Sequence, residues 1–379
     1  MTDRPSQPKT VAGPPRLALV AAPGTTDDLG RTLRHLAVGL LDEPMELTVV
    51  VGDRAEAAAL PIPPIEVLTF RPGRLGRPGR RAVRALAESL ARRRVEMLHA
   101  LDARAHRLTK ALSRAGDWPY LVSVHDLRHC HRLGDLGPQN LGIIASSDPL
   151  REALLAARAA PPERIHLIRP GVHLARTPSY LARPGHDPAI VAAGSMAEAA
   201  PFETVLAAFA AIRAEGTACS LFLLGGGRAE THLRRRVASM KLVHDVTFVD
   251  VRLQRTLAGA LDAADVLICP QSPGRVEMRI LEAMAAGTAV LMGGPSVGDF
   301  VIDGQTALRY HPDRMADLTA KLRTLLTHPA DAAGLAQRAR DHVRDRHSPS
   351  QMVAALADLY RQWTLRGRTL ATPPPSRGT

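Results

Sequence analysis

Short apolar runs alternate with longer amphipathic stretches along almost the whole chain. The runs at 16–22, 46–51, 95–100, 120–125, 141–146 and 165–168 are nearly continuous in Val, Leu, Ile and Ala. Strands that are buried on both faces read this way, because neither side chain direction meets water. Between them, 29–41, 82–93, 104–115 and 149–159 carry apolar residues at helical spacing. The pattern restarts with strands over 189–193, 220–224, 246–249 and 266–269, separated by helices over 202–215, 229–240 and 256–263. Helices over 315–327, 329–346 and 349–363 complete it. Strand and helix in strict alternation predict parallel sheets covered by helices, and right-handed crossovers stack such units into Rossmann-like domains.

One segment breaks the alternation. Residues 177–188 hold Pro178, Pro184, Pro188 and Gly185 without apolar periodicity, which reads as a hinge between two domains. The expected organisation is a polar tail over 1–15, a first Rossmann-like domain over 16–176 and a second over 189–346. A terminal helix over 347–366 is expected to pack back toward the first domain, followed by a Pro-rich tail over 367–379. The fold class is therefore α/β, with two doubly wound parallel-sheet domains facing a cleft.

Composition refines this picture. At 379 residues there is material for two domains, and 45% hydrophobic residues with only 3% aromatics means cores built from aliphatic side chains. Three scattered cysteines (Cys130, Cys219, Cys269) argue against a disulfide framework and for a reducing compartment. No run of eighteen apolar residues is present, so a cytoplasmic protein is expected. The net charge of +12 is carried almost wholly by arginine, which favours anionic partners. The densest cluster (Arg71, Arg74, Arg77, Arg80 and Arg81) is interleaved with Pro and Gly and reads as a loop. That loop is either simply solvated or a peripheral contact with an anionic acceptor or the inner membrane face. Nucleic acid is not the expected partner, since stacking aromatics and an Arg/Asn-rich recognition helix are missing.

The most distinctive stretch is 281–290, Leu-Glu-Ala-Met-Ala-Ala-Gly-Thr-Ala-Val. Ala and Met favour a helix, Gly287 can end it in the left-handed conformation, and an apolar strand follows. Its lone carboxylate, Glu282, is suited to accept hydrogen bonds from a pair of ligand hydroxyls, or else simply complements the helix dipole. His125, at the end of the strand over 120–125, has the chemistry to bond a sugar hydroxyl, or serves as a structural strand-end histidine. His125, His129, Cys130 and His131 form a His/Cys-rich stretch, but no second cluster follows at zinc-finger spacing, so no metal is expected.

The stretch around Glu282 resembles the signature of family-4 retaining glycosyltransferases, which have the two-domain GT-B fold. The likeness runs from about Arg16 to Trp363. It includes His125-Asp126, Ser146-Ser147 with Leu150-Arg151-Glu152, Pro162 to Ile168 with Gly171-Val172, Leu224-Gly225-Gly226-Gly227, Asp245 to Phe248 and Ala264-Asp265-Val266. The resemblance implies a nucleoside-diphosphate sugar as donor, an acceptor it does not identify, no cofactor, and retention of anomeric configuration. It implies that Glu282 holds the nucleotide ribose and that His125 acts at the donor sugar as the catalytic-site histidine. Gly225, Gly226, Gly227, Gly30 and Arg31 would approach the donor phosphates.

Several family positions differ. Ser195 and Ala200 stand where an Arg and a Lys handle the diphosphate, and Asp28 lies in the first glycine loop. Gly274 occupies the place of the first of two carboxylates, with Glu277 three residues on as its substitute. Arg275, Arg31 and Arg228 are the cations available to replace the missing pair. The alternative is a catalytically silent relative that binds nucleotide or serves as a scaffold.

Overall fold

In a computed structural model the described residues are 13–22, 25–52, 57, 63–70, 79–175, 186–249, 263–271 and 274–370, with the side chains of 25–32 and 364–370 left aside. The first domain builds a seven-stranded parallel sheet from β1 (Arg16–Val20), β2 (Glu46–Val51), β3 (Glu66–Thr69), β4 (Met97–Ala100), β5 (Tyr120–Val124), β6 (Asn140–Ala145) and β7 (Ile165–Leu167). Its strand order is β3-β2-β1-β4-β5-β6-β7. The second sheet has six parallel strands: β8 (Ala189–Ala193), β9 (Ser220–Leu224), β10 (Val246–Val249), β11 (Val266–Cys269), β12 (Ala289–Gly293) and β13 (Leu308–Tyr310). They are ordered β10-β9-β8-β11-β12-β13. In both sheets the order reverses beside the first strand, the place where open α/β sheets leave a crevice at their carboxyl ends.

The helices between them are α1 (Thr25–Leu41), α2 (Arg80–Arg92), α3 (His106–Gly116), α4 (Leu127–Cys130) and α5 (Asp148–Ala156) in the first domain. The second has α6 (Ala200–Ala214), α7 (Glu230–Ser239), α8 (Met278–Ala286), α9 (Met315–Thr327) and α10 (Pro329–Arg346), and α11 (Pro349–Leu370) follows. Strand residues alternate between cores as a pleat requires. Leu17 and Leu19 join one apolar cluster with α1 and α11, while Ala18 and Val20 join the cluster on the opposite face. α11 lies against α1, and Gly39 permits the approach, since a Cβ there would collide with Val353.

The structure departs from the sequence reading in detail. β3 and β13 are edge strands of four and three residues with little burial, too short to show a pattern. α2 begins at Arg80, so Arg80 and Arg81 are helical and not part of the loop, while residues 71–78 lie outside the described ones. α11 extends to Leu370, four residues into the stretch expected as tail. Residue 176 and most of the hinge (177–185), the helix expected over 256–263 apart from residue 263, and the tails 1–12 and 371–379 also lie outside the described residues. Among the described residues no helix is long and apolar enough to cross a membrane.

Candidate active site at the interdomain junction

The two domains are stitched together at the carboxyl ends of β5 and β11. The chain after β5 pairs with the chain after β11: Val276 N–H donates to the His125 carbonyl and Leu127 N–H to the Gly274 carbonyl, each at 2.8 Å. Asp126 and Arg275 thus form an antiparallel bridge between domains. Gly274 has φ +67°, the left-handed region that a side chain would strain.

Glu277 precedes the first turn of α8 and is 8% exposed. Its Oε1 accepts from Arg275 Nε at 2.7 Å and its Oε2 from Arg279 at 2.8 Å. Burial raises its pKa, but the two guanidiniums outweigh burial and hold the carboxyl below the usual range. Asp126 is the matching acid on the first domain: buried, chelated by Arg128 at 2.7 and 3.1 Å, and also held below its ordinary pKa despite the opposing effect of burial. Arg128 and Arg275 lie close enough for each other's charge to be felt. Three arginines and two saturated carboxylates therefore meet at the N-terminal end of α8, leaving a net positive junction.

Glu282 is the fifth residue of α8, half-buried, between the fully buried Leu281 and Ala283. It follows Arg279 by three positions, which sets the two on the same helix face. Gly287, at φ +80°, ends the helix in the left-handed conformation. His125 is half-buried, and its Nε2 donates to the Leu101 carbonyl at 2.9 Å.

The glycine turn Gly225–Gly227 caps β9 and leans on the loop after β8. Met196 N–H donates to the Gly226 carbonyl at 3.0 Å, and Ala229 N–H to the Met196 carbonyl at 2.9 Å. A Cβ at Gly225 would strike the Gly194 carbonyl, and one at Gly227 the Met196 backbone, so close approach demands glycine at both. Ser195 and Ala200, in that loop and at the start of α6, are exposed. Gln271, after β11, donates from Nε2 to the Ser195 carbonyl at 3.0 Å, which joins the two sides of the crevice. Arg228 donates to the Ala197 carbonyl at 2.9 Å.

Gly30 and Arg31 are not in a loop: both lie inside α1, where each N–H beyond the first turn is engaged in the helix ladder. The His/Cys stretch is likewise divided by secondary structure. α4 begins only at Leu127, so His125 and His129 do not share a helical face, and Cys130 turns inward toward the Asp126 and Leu150 carbonyls. Burial pushes the Cys130 thiol up to about 11. Sequence reasoning missed Arg279 and Arg128 and noted Asp126 only as part of the His125-Asp126 pair; the alternation Arg275-x-Glu277-x-Arg279 was the available signal for Arg279.

Two open parallel sheets with reversed strand order, joined end to end at this junction, define the architecture. It is the GT-B fold. Residues 187–328 match the family described as Glycosyl transferases group 1. The chain is 28% identical over 200 residues to a glycogen synthase of Mycobacterium tuberculosis, a match covering 52% of this chain and 48% of that one. The chain thus spans about half the length of that curated relative. It is 20% identical over 371 residues to an alpha-D-kanosaminyltransferase of Streptomyces kanamyceticus, covering 88% of this chain and 96% of the relative. Among solved structures, Anabaena Alr3699/HepE in complex with UDP and glucose superposes with a TM-score of 0.73 at 16% identity, over 92% of this GT-B chain and 99% of the other. Sucrose-phosphate synthase of Thermosynechococcus elongatus gives 0.71 at 17% identity, over 93% and 100%.

Proposed function

We propose that the protein is a glycosyltransferase of the family-4 retaining type, moving a hexosyl group from a nucleoside-diphosphate sugar to an acceptor on the first domain. The observation that carries this is the arginine cluster at the start of α8, one turn before Glu282 and paired through the backbone with His125. When the glycosidic bond of the donor breaks, negative charge grows on the departing diphosphate, and fixed cations stabilise it. Arg275 and Arg279, tethered by buried Glu277, take that role in place of the cations missing at Ser195 and Ala200. With arginines in that position, no divalent ion is required. Glu282 accepts from the ribose hydroxyls, His125 bonds the donor sugar, and the Gly225–Gly227 turn lets the backbone approach the nucleotide.

Support comes from the match over 187–328 and from the Anabaena neighbour, solved with UDP-glucose. The test is nucleotide release from a panel of UDP-, GDP- and ADP-sugars. Glu282→Ala should weaken nucleotide binding about 10- to 100-fold, the value of one charged hydrogen-bonding group at about 1.5–3 kcal/mol. Nucleotide bound without release would mark a silent relative, and the absence of both would overturn the reading.

A further inference from the structure

A second contact between the domains lies beside the β5/β11 junction, where the chain after β6 and β7 meets the chain after β12. Ser147, fully buried at the start of α5, donates from its hydroxyl to the Val297 carbonyl at 2.6 Å. Asp148, the first residue of α5, gives its backbone N–H to Asp299 Oδ2 at 3.2 Å. First-turn N–H groups have no partner within a helix, and the positive end of the helix dipole favours a carboxylate there. Arg169, two residues past β7, bridges the acids of the two domains. Its Nε donates to Asp299 Oδ2 at 2.8 Å and its Nη2 to Asp148 Oδ2 at 2.5 Å.

The segments that carry the chain between domains run beside this contact. Val172 N–H donates to the His347 carbonyl at 2.9 Å, and the His347 ring bonds the Pro170 carbonyl through Nδ1 at 3.0 Å. A Cβ on Gly171 would strike the Pro349 backbone, so the outgoing and returning segments touch. Phe300, the neighbour of Asp299, packs edge-on against the His347 ring with centroids 5.4 Å apart. A single backbone bridge, such as that between Asp126 and Arg275, leaves rotation about itself free. A second fixed point, one strand along each sheet, removes that freedom.

The balance at this point depends on charge. The Arg169 and Asp299 side chains are 21% and 15% exposed, so their pairing is largely shielded from water. Asp299 Oδ1 and His347 Nε2 are buried and bond nothing among the described residues. Buried polar atoms without partners disfavour the arrangement that buries them. The contact therefore holds only while Arg169 and the α5 N-terminus satisfy the other Asp299 oxygen.

We propose that Arg169 is a positioning residue: by bridging Asp148 and Asp299 it fixes the angle between the domains, and with it the alignment of His125 on one side of the crevice with Glu282 on the other. The angle stands on this geometry alone, while the consequence for turnover rests on the glycosyltransferase reading above. Misplacing reacting groups by about 1 Å costs about 100-fold in rate, so a change of angle reaches the chemistry without touching a ligand.

The test uses the full-length protein with spin labels on Arg114→Cys in α3 and Arg235→Cys in α7. Both positions are exposed, and the three native cysteines are buried. Pulsed electron paramagnetic resonance should give one narrow interdomain distance, broadened or displaced by Arg169→Met and by Asp299→Ala. Arg169→Lys, which keeps the cation without the planar fork, should fall in between. Far-UV circular dichroism reports folding, and variants in separate domains guard against one that does not fold. UDP affinity should stay within about twofold, while nucleotide release from the UDP-sugar turned over falls about tenfold or more. Unchanged distances in folded variants overturn the proposal. Changed distances with unchanged release, or UDP affinity lost as fully as release, overturn the positioning role. If the parent protein releases nucleotide from no sugar, the glycosyltransferase reading falls by itself, and the distances still decide whether Arg169 sets the angle.

Discussion

Replacing Glu277 with Gln removes one negative charge from between two guanidiniums while keeping nearly the same volume. Glu277 is 8% exposed, whereas the side chains of Arg275 and Arg279 are 31% and 23% exposed. Breaking a fully buried pair costs about 3–5 kcal/mol, and an exposed one less than about 1 kcal/mol. A buried acid with partly wetted partners falls between, and the amide oxygen retains one acceptor, so a loss of about 2–3 kcal/mol is expected. For a domain of this size that lowers the unfolding midpoint by about 4–12 °C. The assay is chemical denaturation of wild type, Glu277→Gln, Arg279→Met and the double variant, with a coupling of about 1–2 kcal/mol between the two sites. The pH response gives an independent check. Because the folded carboxyl lies below its ordinary value of 4.5, its contribution is present above that pH and is lost as pH falls through the folded pKa. In Glu277→Gln that acid-side loss should shrink. A destabilisation below about 0.5 kcal/mol with zero coupling would refute the idea that the carboxylate holds the arginines.

Two further outcomes follow from buried histidines. Tyr360→Phe deletes the hydroxyl partner of fully enclosed His99 and should cost about 1–3 kcal/mol in denaturation, whereas a neutral result would sink the claim that this bond ties α11 to the sheet. Burial depresses His99 to about 3 and His106 and His347 to about 4, so each stays neutral in the fold while the unfolded chain takes up protons below 6.5. Stability should be full above 6.5 and decline toward pH 4 by up to about 1.4 kcal/mol per pH unit for each ring; a flat profile over that window would contradict it.

The alternation of apolar runs and amphipathic helices was enough to read the two-sheet architecture, because strands buried on both faces leave a continuous hydrophobic trace in sequence. β3 and β13 escaped because a three- or four-residue edge strand buries too little to leave that trace. Glu282 and Gly287 were legible from a local helix–turn–strand pattern. The role of Glu277 was not, since its carboxylate is defined by two arginines on either side and by burial that sequence spacing does not report. Gly30 and Arg31 fall within the helix expected over 29–41; the loop that the family resemblance implied for them is absent because helix α1 already begins at Thr25.

By itself the sequence determined what local periodicity and turn chemistry can encode: two Rossmann-like halves and a glycine-ended helix. Tertiary structure alone decided which distant segments meet. His125 and Val276 are paired by a backbone hydrogen bond across about 150 positions, and His99 finds Tyr360 261 positions away. Such contacts arise when domains pack and a terminal helix returns to cover the first sheet. Their energy comes from burial and mutual satisfaction of polar groups, quantities that exist only once the chain has closed around them.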